Sequence, residues 1–208
     1  KMDGLYLPMD ELGGDFYDAY KIGDNKIGLL IADVCGHGVP AALITTMAKV
    51  ILNNHTKDGR KTSEIILSVN EELYKIIGRM EYLTIFFGIV DLKTKVMEYT
   101  NAGHNEIYII KKNKEIITLP PNSSIVGIQN NLPFYSEYVE LEEKDRIILY
   151  TDGIPETLNK DKEMYGAEKF KKLILNNIDS KPKDLINATI TDLMKFRGDN
   201  SVNDDITL

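Results

Sequence analysis

The sequence predicts an α+β fold, a sandwich of sheets packed face to face with helices outside, and three observations lead there. Short β-rich runs separated by polar turns dominate the chain after Gly78. Amphipathic helical segments come in two pairs, one before those runs and one after them. The strict strand–helix alternation of a parallel sheet is missing. With 208 residues, 43% of them hydrophobic, the chain can bury the core of one domain spanning residues 1–208. No repeat, low-complexity tract or Pro/Gly-rich linker divides it.

The opening KMDGLYLP reads as a strand already under way, the expectation being a domain cut from a longer regulatory protein. DFYDAYKI and KIGLLIADV flank Gly23-Asp24-Asn25, residues suited to a tight hairpin turn. Val39 to Asn54 follows with Val39, Leu43, Met47, Val50 and Ile51 at helical spacing, and Pro40 falls in the tolerant first turn. A second helix spans Thr62 to Ile77, with Ile65, Ile66, Val69, Leu73, Ile76 and Ile77 on one face. Both stripes are expected in the core. YLTIFFGIVDL, KVMEYTNAG, EIYIIKK, KEIITL, FYSEYVEL and DRIILYTDG then read as an antiparallel meander. Helices over Ala167–Asn177 and Pro182–Phe196 and a short strand in DDITL complete the chain.

The chain carries 25 Lys+Arg against 32 Asp+Glu, a net charge of −7, which disfavours a phosphodiester partner: no nucleic acid is expected. A single cysteine, Cys35, excludes an internal disulfide and a Cys-cluster zinc site and agrees with a cytoplasmic location. No apolar run approaches the roughly 20 residues of a membrane helix.

Gly36-His37-Gly38 with Ala41 fits the G-x-G-x-x-A phosphate cradle between a strand and a helix. That reading also needs a parallel strand after the helix, whereas HTKDGRKTSE is a polar loop leading into another helix. Aspartates offer a second reading. Asp15 opens a strand, Asp33 and Asp152 end strands, and Asp204 with Asp205 opens the last. In an antiparallel sheet such positions share one rim. If Gly23 to Asn25 form a three-residue loop, paired positions sum to 48, as Asp15 and Asp33 do; a two-residue loop would turn them to opposite faces. Converging carboxylates repel unless cations compensate, and an all-oxygen ligand set suits Mg²⁺ or Mn²⁺ rather than zinc.

GGDFYD, ADVCGHGVPAAL, TIFFGIVDLKTKVMEYTNAGHN, YTDG, EMYGAEKF and NDDITL, in that order, resemble the SpoIIE/RsbU-type bacterial branch of the PPM (protein phosphatase 2C-like) Ser/Thr phosphatases, across essentially the whole chain. The resemblance implies an αββα four-layer sandwich of two mainly antiparallel sheets, and a centre of two Mn²⁺ or Mg²⁺ ions at one sheet edge. By motif position, Asp33 bridges both ions, helped by the Val34 carbonyl; Asp15 completes one side; Asp152 and Asp204 bind the other ion; Asp205 is an outer-shell neighbour or an alternative ligand. The implied reaction is hydrolysis of a phosphoserine or phosphothreonine monoester by a water activated between two dications, without a phosphoenzyme. Cys35 lacks the arginine-rich loop of a cysteine phosphatase and reads as a packed side chain. His37, His104 or a metal-bound water would protonate the leaving group, and His104 equally suits a turn-pinning role. His55 closes a helix, where a cation favours the dipole.

The first arginine is Arg60, so the phosphate-binding arginine of eukaryotic relatives has no counterpart near the first motif. Affinity must then come from the metals and from protein contacts. The resemblance implies a phosphorylated protein partner such as an anti-sigma-factor antagonist, and an N-terminal sensor. The alternative is a catalytically silent phosphatase-fold interaction module.

Overall fold

The computed structural model describes residues 1–56, 59–78 and 80–208; Lys57 and Asp58, in the expected polar loop, and Arg79 lie outside the described residues. Along the chain run β1 (Tyr6–Leu7), β2 (Phe16–Ile22), β3 (Lys26–Val34), α1 (Gly38–His55), α2 (Thr62–Ile76), β4 (Leu83–Asp91) and β5 (Val96–Ala102). Then follow β6 (Ile107–Ile110), β7 (Ile116–Leu119), β8 (Glu137–Glu140), β9 (Arg146–Ile148), α3 (Ala167–Asn176), α4 (Pro182–Arg197) and β10 (Ile206–Thr207). Every ladder between these strands is antiparallel.

One sheet has the order β2-β3-β4-β5-β8 and the other β7-β6-β9, while β1 and β10 form a short ribbon. The ribbon joins the end of β9 through the Thr151 N–H, which donates to the Thr207 carbonyl at 3.2 Å. The expected meander is therefore divided: β6 and β7 leave the first sheet, β8 returns to it beside β5, and β9 crosses back. The physical reason is burial on both faces. All four residues of β6 are buried, and a strand without a solvent face needs a covering layer on each side.

Strand parity builds the layers. In β3, Leu30, Ala32 and Val34 pack with Leu83, Ile85 and Phe87 of β4 against Ile44, Leu52, Ile65 and Leu73 of α1 and α2. Leu29 and Ile31 point the other way, to Phe86, Ile107, Ile109 and Leu119 between the sheets. Tyr108, Ile148 and Tyr150 cover α3 and α4 through Phe170, Ile174, Leu185 and Leu193. The result is the four-layer αββα sandwich.

The stripe on α1 differs from expectation. Val39, Leu43, Met47 and Val50 are exposed, and the core face is Ala41, Ile44, Ala48, Ile51 and Leu52. The inner face alternates the small Ala41 and Ala48 with Ile44, Ile51 and Leu52, which pack into the core. On α2, Ile65, Ile66, Val69 and Leu73 are buried as expected, Ile77 packs against the core, and Ile76 faces solvent.

Candidate metal centre

The turn between β2 and β3 sets the first two carboxylates. Ile22 pairs with Lys26 across a three-residue loop, and Phe16 pairs with Ala32. The Val34 N–H donates to the Gly14 carbonyl at 3.4 Å, which continues the same register past the strand end. Asp15 and Asp33 therefore stand opposite each other. By parity they share the inter-sheet face of Leu29 and Ile31, and Thr84 of β4 flanks Asp33 on its other side.

The second sheet brings the remaining groups. Asp152 follows β9, and Asp204 with Asp205 precedes β10, which is bound to Thr151. Asp15 is buried and held from that side: its Oδ2 accepts the Thr151 and Thr207 hydroxyls, each at 2.6 Å. Thr151 also accepts the Thr207 N–H at 3.1 Å.

The electrostatics are those of crowded negative charge. Burial first, then Asp15, Asp152, Asp204 and Asp205 in that order, push the Asp33 carboxyl up to about 8. Burial likewise raises Asp15 to about 7, against the two threonine hydrogen bonds and with help from Asp205 and Asp204. Asp152 is raised by burial and by Glu156. Asp204 is raised by burial and by its neighbours Asp152 and Asp205, while His37 opposes the shift. The carboxylates sense one another, yet among the described residues no group of three His, Cys, Asp or Glu side chains is gathered closely enough to hold a metal ion. The donor set fits hard divalent ions: the Asp33 carboxylate accepts no hydrogen bond from the described residues, and Asp15 keeps Oδ1 free of donors among them. The Val34 carbonyl lies over Gly14, where a Cβ would stand 2.6 Å from it.

No protein atom crowds the glycines of the Gly-His-Gly turn. Gly36 and Gly38 have φ of +89° and +74°, and a Cβ on either would meet nothing within 4 Å. Glycine serves there to reverse the chain from β3 into α1. His37 is the extended N-cap residue of α1, and its Nδ1 lies 3.2 Å from Asp10 Oδ2 at the solvent edge. Cys35 accepts the Tyr82 N–H at 3.1 Å, a packing role at the start of that turn.

His104 is buried behind the rim, with Nδ1 at 2.8 Å from the Thr84 hydroxyl and Nε2 at 3.1 Å from the Tyr150 carbonyl. A carbonyl only accepts, so Nε2 carries the proton and Nδ1 takes the Thr84 hydrogen. Burial lowers its pKa to about 4, which leaves a neutral ring with no spare proton at neutral pH. The ring ties the strand beside Asp33 to the segment leading into Asp152. Asn101 and Asn105 assist, since Asn101 Oδ1 accepts the His104 N–H and Asn105 Nδ2 donates to the same Tyr150 carbonyl at 2.9 Å. His55, at the end of α1, pairs with Glu72 of α2 and stays away from the rim.

Sequence reasoning missed Thr151, Thr207, Glu156 and Asp10. Thr151 and Thr207 carried a readable signal, being hydroxyl residues within the same strand-end motifs as Asp152 and Asp205.

The chain is 25% identical over 205 residues to the phosphoserine phosphatase RsbU of Bacillus subtilis, covering 98% of this chain and 60% of that one. It thus spans less than two thirds of the curated relatives it matches. The fold is that of the SiaA-PP2C domain of Pseudomonas aeruginosa, with a TM-score of 0.88, 20% identity, and coverage of 99% and 82% of the two chains. A crystal structure of RsbX in complex with magnesium superposes with a TM-score of 0.71 at 16% identity, covering 98% and 90%. Residues 23–208 match the family described as Stage II sporulation protein E (SpoIIE), and the chain belongs to that family.

Proposed function

We propose that residues 1–208 act as one catalytic domain, a divalent-metal-dependent protein phosphatase that hydrolyses phosphoserine or phosphothreonine. The carrying observation is Asp33, pushed up to about 8 beneath four other carboxylates, a charge arrangement that a divalent cation would relieve. Kinship with a phosphoserine phosphatase and the fold shared with a magnesium complex of RsbX support the reading.

Asp33, Asp15, Asp152, Asp204 and the Val34 carbonyl would hold two ions, Mn²⁺ or Mg²⁺. When bound, such a pair supplies a nucleophile from water at neutral pH and neutralises phosphoryl oxygens. This chain's own residues do the rest. Thr151 and Thr207 orient the Asp15 carboxylate, and His104 fixes the Asp152 segment against β4. His37, whose Nδ1 lies 3.2 Å from Asp10 Oδ2 at the solvent edge, would meet a leaving serine through Nε2. The rim is acidic, so grip on a phosphoprotein would come from the ions and from surface contacts. A folded substrate such as a phosphorylated anti-sigma-factor antagonist fits that requirement, with an attached N-terminal sensor and a cytoplasmic setting. Among the described residues, no helix is long and apolar enough to cross a membrane.

That no three His, Cys, Asp or Glu side chains gather to hold a metal ion among the described residues favours one rival, a silent phosphatase-fold module that binds a regulator. Titration calorimetry with Mn²⁺ separates the two, because a silent module shows no tight site. Hydrolysis of p-nitrophenyl phosphate and of a phosphoserine peptide should require Mn²⁺ or Mg²⁺ and vanish in Asp33→Asn and Asp152→Asn. Full activity in excess EDTA sinks the phosphatase reading.

A further inference from the structure

Asp205 stands apart from the other rim carboxylates. It is 5% exposed, and both of its oxygens are already engaged. Oδ1 accepts the Met9 N–H at 2.7 Å. Oδ2 accepts the N–H groups of Gly14 at 2.7 Å and Asp15 at 3.2 Å, with the Tyr6 hydroxyl at 3.4 Å. Three of the four donors converge on Oδ2, enough to occupy its lone pairs, and one reaches Oδ1. A metal ion taking Oδ2 would displace the Gly14 and Asp15 N–H groups in a buried position, leaving them unpaired.

Two glycines record the same packing. A Cβ on Gly13 would stand 1.8 Å from Asp205 Oδ2, and a Cβ on Gly153 would stand 1.9 Å from the Asp205 carbonyl oxygen. The Gly-Gly-Asp motif before β2 and the Asp-Gly motif after β9 therefore both close onto the residue before β10. Gly13 makes room for the Asp205 side chain, around which the segment carrying Asp15 wraps, and Gly153 makes room for the backbone of the same residue.

We propose that Asp205 is a positioning residue, the buried anion around which Met9–Asp15 folds so that the Asp15 carboxylate faces Asp33, and that it is not a metal ligand. Its consequence for catalysis rests on the proposed phosphatase function; its effect on the segment does not. The test is amide hydrogen exchange by NMR on the 208-residue chain, with and without Mg²⁺. In the metal-free wild type, the Met9 and Gly14 amides should exchange slowly. Asp205→Asn keeps one acceptor oxygen and turns an NH2 group toward the N–H on the other side, so protection at one of the two, Met9 or Gly14, should fall by about tenfold or more without any metal. Mg²⁺ affinity should fall with it, whereas Asp204→Asn should weaken Mg²⁺ binding and leave that protection intact. Preserved protection in Asp205→Asn together with lost Mg²⁺ affinity makes Asp205 a ligand and overturns the proposal. If Asp205→Asn does not fold, fast exchange of Met9 and Gly14 in the metal-free wild type overturns it equally. None of these readouts involves turnover, so a failed phosphatase assay with protection intact strikes the function alone.

Discussion

Asp15 and Asp33 face each other across the first hairpin, one residue beyond the last formal pair of β2 with β3. The Val34 N–H to Gly14 carbonyl bond of 3.4 Å carries the register to that point. Two carboxylates on the same face and in matched positions are the germ of the whole rim. Thr84 on β4 flanks that pair, and Thr151 and Thr207 hold it from the other side.

The pair should give the metal-free protein an inverted pH dependence. Both carboxyls start from 3.8 and are raised in the folded state, Asp15 to about 7 and Asp33 to about 8. The folded state then binds more protons than the unfolded one across that interval, so their contribution is complete at low pH and is lost as pH rises through 7 and 8. His104 runs the other way: lowered from 6.5 to about 4, its contribution is lost as pH falls below 6.5. The window from pH 6.5 to about 8.5 isolates the carboxylates. Thermal scans there should show Tm of the metal-free protein falling with pH and Mg²⁺ flattening the trend. A Tm that rises across the window contradicts the crowded-carboxylate account.

The two threonines on Asp15 are unequal. Thr207→Val removes one hydroxyl and leaves Asp15 Oδ2 the other, a loss of about 1 kcal/mol. Thr151→Val also strands the buried Thr207 N–H that its oxygen accepts, so the expected loss is about 1–3 kcal/mol. Urea unfolding of both variants checks the order, and the reverse order would mean that Asp15 is fixed from elsewhere. Both variants should also weaken Mn²⁺ binding in calorimetry, since a freed carboxylate must be ordered again before it can coordinate.

Much of this was legible in the sequence because it depends on period and position. Strand alternation set the faces of β3, the Gly23–Asn25 loop length set the register, and aspartates at strand ends set the rim. Two features escaped for physical reasons. Helical spacing finds an apolar stripe but not which stripe packs, and on α1 the inner side is the one with alanines. Asp205 looked like Asp204 in NDDITL because a carboxylate's partners, here backbone N–H groups about 190 positions earlier, leave no local pattern.

The choice of face on α1 is measurable. Leu52→Ala, at a fully buried site, should cost about 2–5 kcal/mol, whereas Leu43→Ala, more than half exposed, should stay within about 0.5 kcal/mol. Equal losses in denaturant melts would mean that the outer stripe is covered in solution.

His104 separates a proton donor from a structural tie. Its two ring nitrogens join Thr84, beside Asp33, to Tyr150, two residues before Asp152, and thereby set the distance across the rim. A neutral, fully engaged ring should show no protonation by NMR above about pH 5, given a value lowered to about 4. His104→Ala strands the Thr84 hydroxyl and keeps only Asn105 on the Tyr150 carbonyl, at an expected cost of about 1–3 kcal/mol. If the domain is a phosphatase, this variant should turn over more slowly through a displaced Asp152 while the shape of its pH–rate profile is unchanged. Loss of a limb from that profile, or ring protonation near 6.5, would return the acid role to His104 and remove the tie as the reason for its burial.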